Sequence, residues 1–195
     1  MNPIFRFFFK LSGWKVTGAV PADLKKAVIA VCPHTKWQDF FVGIGARATM
    51  RRKIGYLGKE ELFRPPFGFL FRWLGGTPVY RKTSLNMVES YVAAIKGADD
   101  MLFSLAPEGT RGNVQKLKTG FYYMAIGGKI PIIPVGFDYE KKEVVINEPF
   151  MPSGDFKKDM IEKFIPFFKT ISNTKKDWIK NYENGNFDLK SKKAD

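Results

Sequence analysis

The sequence predicts one α/β domain: a single mixed or largely parallel sheet flanked by helices. Three observations carry that prediction. Six short apolar or β-branched runs, at residues 27–32, 54–57, 77–80, 101–106, 131–137 and 143–147, have strand character and are bounded by Gly, Pro or charge. Segments of helical character alternate with them, which is the mark of a sheet whose strands run largely parallel. The length of 195 residues suits one domain with a real core, and 15% aromatics supply the apolar material for it.

The elements follow in chain order. Residues 1–13 hold a Phe-rich start with Arg6 and Lys10. It is too short and too interrupted by charge for a signal peptide. Its composition suits a membrane interface, and packing of the same Phe residues on the domain is the alternative. The domain proper is expected over 14–183. The strand at 27–32 leads to a helix at 36–50, for which Thr35 and Gln38 form a capping-box pattern. Short helices are expected at 59–64 and 67–74. The second is apolar nearly all round, so it is either buried or faces lipid, and burial is the favoured reading. Ser84 and Gly97 bracket a helix at 84–97. Further helices are expected at 117–127 and 155–171, the latter kinked at Pro166, with a weaker one at 175–183. Two prolines in 131–137 argue against a regular central ladder there and suggest an edge, a bulge or a turn. Residues 138–142 can join the last two strands as a hairpin, and 184–195 read as a flexible basic tail.

Charge and cysteine content narrow the function. The formal net charge is +13, which points to an anionic partner. One cysteine excludes an internal disulfide, and one cysteine with one histidine argues against a zinc site. No run of 18 apolar residues exists, so no membrane span is expected.

The only histidine, His34, ends an apolar strand in Pro-His-Thr-Lys-Trp-Gln-Asp. If Thr35 caps the helix, His34 and Asp39 occupy the two positions that touch at a helix start. A carboxylate there can fix the ring tautomer and stabilise the imidazolium; a polar pair of no consequence is the other reading. A second element, Pro107-Glu108-Gly109-Thr110-Arg111-Gly112, follows the strand at 101–106 and so lies at a carboxyl edge, where α/β sheets bind ligands. Gly109 permits close backbone approach, and Arg111 offers a fork suited to phosphate. Glu108 could orient that arginine or accept a hydrogen bond from a substrate hydroxyl. A third element is Gly75-Gly76-Thr77-Pro78-Val79-Tyr80-Arg81, and a fourth is Ile130-Pro131-Ile132-Ile133-Pro134-Val135-Gly136.

Taken in order, these four blocks resemble the glycerol-phosphate and lysophosphatidate acyltransferase family of phospholipid synthesis. The His-x4-Asp block is His34 to Asp39, and the Pro-Glu-Gly-Thr-Arg block is Pro107 to Arg111. Lys59-Glu60-Glu61-Leu62-Phe63 and Lys118-Thr119-Gly120-Phe121 also look like family segments, so the resemblance spans roughly residues 28–138. Pro33 stands where many members carry Asn, and Gly112 where Ser is common. With no long apolar anchor at its start, the chain is similar to a short bacterial branch. The resemblance implies an acyltransferase-like fold and transfer of an acyl group from acyl-CoA or acyl carrier protein to a lysophospholipid-type hydroxyl, 1-acyl-glycerol-3-phosphate above all. His34 would be the base and Asp39 its orienting partner. Arg81, Glu108, Gly109, Thr110 and Arg111 would hold the acceptor. No cofactor or metal is implied, and the site of action would be the inner face of the cell membrane, reached from the cytoplasm.

Other readings are weaker. Cys32 could pass through an acyl-enzyme, but a buried strand cysteine is commoner. Gly43-Ile44-Gly45-Ala46-Arg47-Ala48 fits a dinucleotide fingerprint, yet it falls within the helix at 36–50, where small residues serve packing. No Gly-x-Ser-x-Gly elbow is present. A non-phosphate acceptor, such as an amino-acid lipid, is the alternative within the class. A non-catalytic basic lipid- or nucleic-acid-binding domain is the alternative outside it; no nucleic-acid-binding motif supports the latter.

Overall fold

A computed structural model of the chain describes residues 3–79, 84–172 and 177–188. A seven-stranded sheet forms its middle layer, in the order β1-β7-β6-β2-β5-β3-β4. The strands are β1 (Lys15–Thr17), β2 (Lys26–Cys32), β3 (Gly55–Lys59), β4 (Gly76–Val79), β5 (Met101–Leu105), β6 (Ile132–Asp138) and β7 (Glu143–Ile146). The five from β6 to β4 are parallel, β7 runs antiparallel to β6, and β1 pairs parallel with β7. The sheet is therefore mixed and largely parallel.

Alternation along the central strands sends side chains into two cores. In β2, Val28, Ala30 and Cys32 enter one core, while Ala27 and Ile29 enter the other. Helices α4 (Ser84–Gly97), α5 (Gly120–Gly128), α6 (Phe156–Asp159), α7 (Ile165–Lys169) and α8 (Asp177–Glu183) cover the first, with Ile95, Phe121, Phe164, Phe168 and Trp178 among its buried members. Helices α1 (Pro3–Leu11) and α2 (Asp39–Met50) cover the second. Phe9 of α1 packs so closely on α2 that a Cβ at Gly45 would lie 2.5 Å from its ring. The Gly43–Ala48 stretch thus serves helix packing, and Cys32 is a buried core thiol.

Several expectations change in physical detail. Helix α1 and edge strand β1 were not foreseen. The first is amphipathic, with Phe9 buried and Ile4, Phe7, Phe8 and Leu11 exposed; the second is three residues long and carries little pattern. Residues 59–64 make a 3-10 turn at Glu60–Phe63. Helix α3 (Gly68–Trp73) is not buried: Phe69 is 72% and Trp73 66% exposed. β6 is central, not an edge. The Pro134 carbonyl accepts from Asn147 N–H, so its ring nitrogen faces the same side, just past the end of β7. The register also slips by one residue there, between Val135↔Ile146 and Ile132↔Phe150. The missing donor therefore costs no ladder hydrogen bond with β2. Pro166 is accommodated by a π turn, Met160–Phe164, placed directly before α7, where a widened turn relieves the clash with the preceding carbonyls. Of the expected tail, Phe187 stacks on Tyr182 at 4.4 Å, so the packed domain continues past residue 183.

Two buried carboxylates lock loops to this frame. Asp138 Oδ1 accepts the N–H groups of Glu140 and Lys141, and its Oδ2 that of Ser172. Asp159 accepts from Tyr122 Oη at 2.6 Å and from Ser153 N–H at 2.6 Å, and pairs with Lys163 Nζ at 2.8 Å. Burial opposes the charge of each. Hydrogen bonds outweigh it, chiefly from the Lys141 and Ser172 N–H groups at Asp138 and from Lys163 and Tyr122 at Asp159. Both carboxyls are held below their ordinary value of 3.8. A depressed folded-state pKa adds stability that is complete above the unfolded value and vanishes as pH falls through the folded one. Melting temperature should therefore be level from neutrality down to about pH 5 and drop below about pH 4. Asp159→Ala should cost roughly 1–3 kcal/mol at neutral pH, because it leaves the buried Tyr122 hydroxyl without its acceptor. Thermal melts across pH check both outcomes.

Candidate active site

The site forms where three neighbouring parallel strands end. β2 runs out at Cys32 and delivers His34; β5, on one side, leads into the turn bearing Glu108; β6, on the other, leads to Tyr139. The register Cys32↔Gly136 explains why residues 34 and 139 emerge together. The carboxyl edge of such a sheet gathers loop groups from separated parts of the chain.

His34 Nδ1 lies 2.9 Å from Asp39 Oδ2. A carboxylate only accepts, so Nδ1 carries the proton and a neutral ring keeps its lone pair on Nε2. The ring is about one quarter exposed, whereas the Asp39 side chain is 1% exposed. Asp39 Oδ2 also accepts the N–H groups of Thr35 at 2.7 Å and Lys36 at 2.9 Å, and Asp39 Oδ1 accepts from Tyr139 Oη. This corrects the expected cap. α2 starts at Asp39, not near Thr35, and Gln38 precedes it without a side-chain cap. Asp39 itself satisfies the loop amides, an aspartate-to-backbone arrangement that competes well with a helical start. Its place at the first turn of α2 favours negative charge. Burial works against the ionised carboxyl, but hydrogen bonds from His34, Tyr139 and Lys36 prevail and hold its pKa below 3.8. Tyr139, half-buried beside that charge, has its own pKa pushed well up by desolvation and by the carboxylate.

Glu108 is 2% exposed, and its Oε2 accepts the His34 backbone N–H at 2.6 Å. The sequence suggested that it orients Arg111 or receives a substrate hydroxyl. Through Oε2 it fixes the chain at His34. Gly109 takes φ +66°, a left-handed value that favours glycine, and donates to the Ala106 carbonyl. The Pro107 carbonyl accepts from Lys118 N–H at 2.7 Å, closing the loop. Thr110 and Arg111 are exposed at its tip. Arg81 lies outside the described residues. Among the described residues, no three His, Cys, Asp or Glu side chains gather as a metal-binding group.

The sequence did not single out Tyr139 or the Thr35 and Lys36 amides. The available signal for Tyr139 was its place right after a strand expected to border the histidine's own. Lys36 Nζ sits 4.3 Å from the centre of the Tyr139 ring, and Trp14 meets that ring edge-on at 5.0 Å.

Comparisons with known proteins give the family and the fold. A family model described as Acyltransferase matches residues 13–138. The chain is 27% identical over 137 residues to a 1-acyl-sn-glycerol-3-phosphate acyltransferase of Haemophilus influenzae, a match covering 67% of this chain and 57% of that protein. It thus spans somewhat more than half the length of that curated relative. Its fold is similar to that of the 1-acyl-sn-glycerophosphate (LPA) acyltransferase PlsC from Thermotoga maritima, with a TM-score of 0.55 and 19% identity over 96% of this chain and 80% of that one. With the family match covering well over half of its residues, the chain belongs to the Acyltransferase family.

Proposed function

We propose that the protein transfers a fatty acyl group from a thioester, acyl-CoA or acyl carrier protein, to the hydroxyl of a lysophospholipid-type acceptor such as 1-acyl-glycerol-3-phosphate. The observation that carries this is the His34–Asp39 pair at 2.9 Å, with Glu108 of the Pro-Glu-Gly-Thr-Arg turn bonded to the His34 backbone. Two blocks separated by 74 residues are thereby joined at one point.

His34 Nε2 takes the acceptor's hydroxyl proton as its oxygen attacks the thioester carbonyl. A carbon–oxygen bond forms, the tetrahedral centre collapses, and the carbon–sulfur bond breaks. The imidazolium returns the proton to the departing thiolate, so the ring ends as it began. Asp39 holds the tautomer and stabilises the transient cation. Arg111, with Arg81, holds the acceptor's phosphate. Placing thioester and hydroxyl together supplies much of the remaining rate.

The lipid acceptor calls for contact with a membrane surface. Exposed Phe7, Phe8, Trp37, Phe41, Phe69 and Trp73 belong to α1, α3, the start of α2 and the turn before it, and Phe40 links α2 to Phe71 of α3 at 5.6 Å. Among the described residues no helix is long and apolar enough to cross a membrane. A basic chain with interfacial aromatics suits peripheral attachment to anionic lipid, which fits the inner face of the cell membrane.

Mass spectrometry of products tests the reading directly. Acyl-CoA or acyl carrier protein is offered with matched lysophosphatidate, other lysophospholipids and amino-acid lipids. A phosphate-bearing product is expected, and turnover of amino-acid lipids alone would replace the acceptor. His34→Ala should lose roughly 100- to 10,000-fold in kcat, and Asp39→Asn should remain folded and lose somewhat less. Arg111→Ala should raise the KM of a phosphate acceptor roughly 10- to 100-fold, since charge-assisted bonds are commonly worth about 1.5–3 kcal/mol; the donor KM should move less. Equal losses on matched phosphate and non-phosphate acceptors would remove Arg111 from phosphate binding. Replacing both Phe7 and Phe8 by Ser should weaken cosedimentation with anionic vesicles more than it slows turnover of detergent-dispersed substrate. Unlike truncation, it leaves Phe9 in the core.

A further inference from the structure

We propose that Tyr139 is a positioning residue of the His34–Asp39 pair: its hydroxyl holds one carboxylate oxygen of Asp39 so that the other stays aimed at His34 Nδ1. The inference rests on the reading of His34 as the base.

The geometry divides the carboxylate's two oxygens. Oδ2 receives His34 Nδ1–H and the N–H groups of Thr35 and Lys36, while Oδ1 receives Tyr139 Oη. The three donors on Oδ2 resist rotation about the Cβ–Cγ bond, but all come from residues 34–36 of one loop, which can shift together with the carboxylate. A donor on the second oxygen, from a different strand, resists that shift. Tyr139 can serve this way because its own ring is held: Trp14 packs edge-on at 5.0 Å, and the Lys36 ammonium sits over its face at 4.3 Å. The lysine's backbone amide binds one oxygen of Asp39 while its side chain rests on the residue that binds the other.

The role also follows from charge. A carboxylate with unfilled lone pairs competes for water or for other donors, and a single hydrogen bond to an imidazole then fixes neither ring orientation nor tautomer. With its partners filled, Asp39 is an orienting group of low basicity. It stabilises the imidazolium without taking its proton. The hydroxyl touches neither reacting atom, so its removal should change the rate constant of the chemical step and leave substrate binding alone.

Tyr139→Phe is the test, since it removes one oxygen and keeps the ring against Trp14 and Lys36. Both readouts are taken on folded protein, well below its melting temperature. The first is steady-state kinetics. The expected result is a fall in kcat of roughly 10- to 100-fold, the factor that one hydrogen bond to a charged group carries, with KM for donor and acceptor unchanged within about twofold. The second uses the fact that the chain has one histidine. Nitrogen NMR of histidine-labelled protein, with the ring neutral, reports a single imidazole. The parent protein should show Nδ1 protonated and Nε2 bare; the variant should move both nitrogens toward a mixture of tautomers. Asp39→Asn provides the benchmark for a lost orienting group. Unchanged kcat and an unchanged tautomer in folded Tyr139→Phe overturn the inference. Failure of the underlying reading looks different: His34→Ala would then retain turnover, whatever Tyr139→Phe does.

Discussion

One buried carboxylate organises this edge of the sheet. Asp39 is the first residue of a helix, yet its side chain reaches back over the loop that precedes it. It closes that loop through two amides, takes the histidine ring on one side, and is held by a tyrosine from another strand. The bonds from His34, Tyr139 and Lys36 favour its charge where burial alone would raise its pKa. An apolar residue here would leave two loop amides without their acceptor and the imidazole without a fixed tautomer. The loop's shape and the ring's proton inventory thus depend on the same charge.

The surrounding fold gives that charge a rigid frame. Strands β6, β2 and β5 lie side by side and are shielded by a core on each face. Their ends therefore cannot drift relative to each other without breaking ladder hydrogen bonds or opening packed side chains. Glu108 adds a tie from β5's loop to the His34 backbone. The histidine is pinned through both backbone and ring, from opposite neighbours, while the ring remains partly open to solvent. A proton acceptor needs this combination of fixed direction and access.

Much of this was legible in the sequence because local patterns and global fold agree. The 84–97 helix matches α4 at both ends, and the central strands β2 and β6 read as apolar runs because both their faces are buried. The pairing of His34 with Asp39 was visible as a spacing, but the reason for it was not. A capping box at Thr35 and an aspartate folding back on the same amides give similar sequence strings, and only the latter is realised. Tyr139 was hidden because its partner is 100 residues away and the loop carrying it reads as an ordinary polar turn. Pro134 was read in part: the ladder beside it is irregular, as the prolines suggested, but the strand is central and not an edge. The rule that keeps proline from central strands concerns a missing donor, and here that donor points to a gap in the neighbouring strand. The apolar 67–74 segment was expected inside because composition cannot distinguish a core from a surface that meets lipid.

The ties at the site span long stretches of chain: 74 residues from His34 to Glu108, and 100 from Asp39 to Tyr139. Contacts of such separation carry a large loop-closure entropy and form only once the intervening strands have docked. A chain with β2, β3 and β5 assembled but β6 still free would present His34 without its complete support. On the proposed function, catalytic competence arises late in folding, after the bulk of secondary structure. A nascent chain leaving the ribosome would hold His34 and Asp39 without their full set of contacts until residue 139 and the strand before it had emerged and joined the sheet.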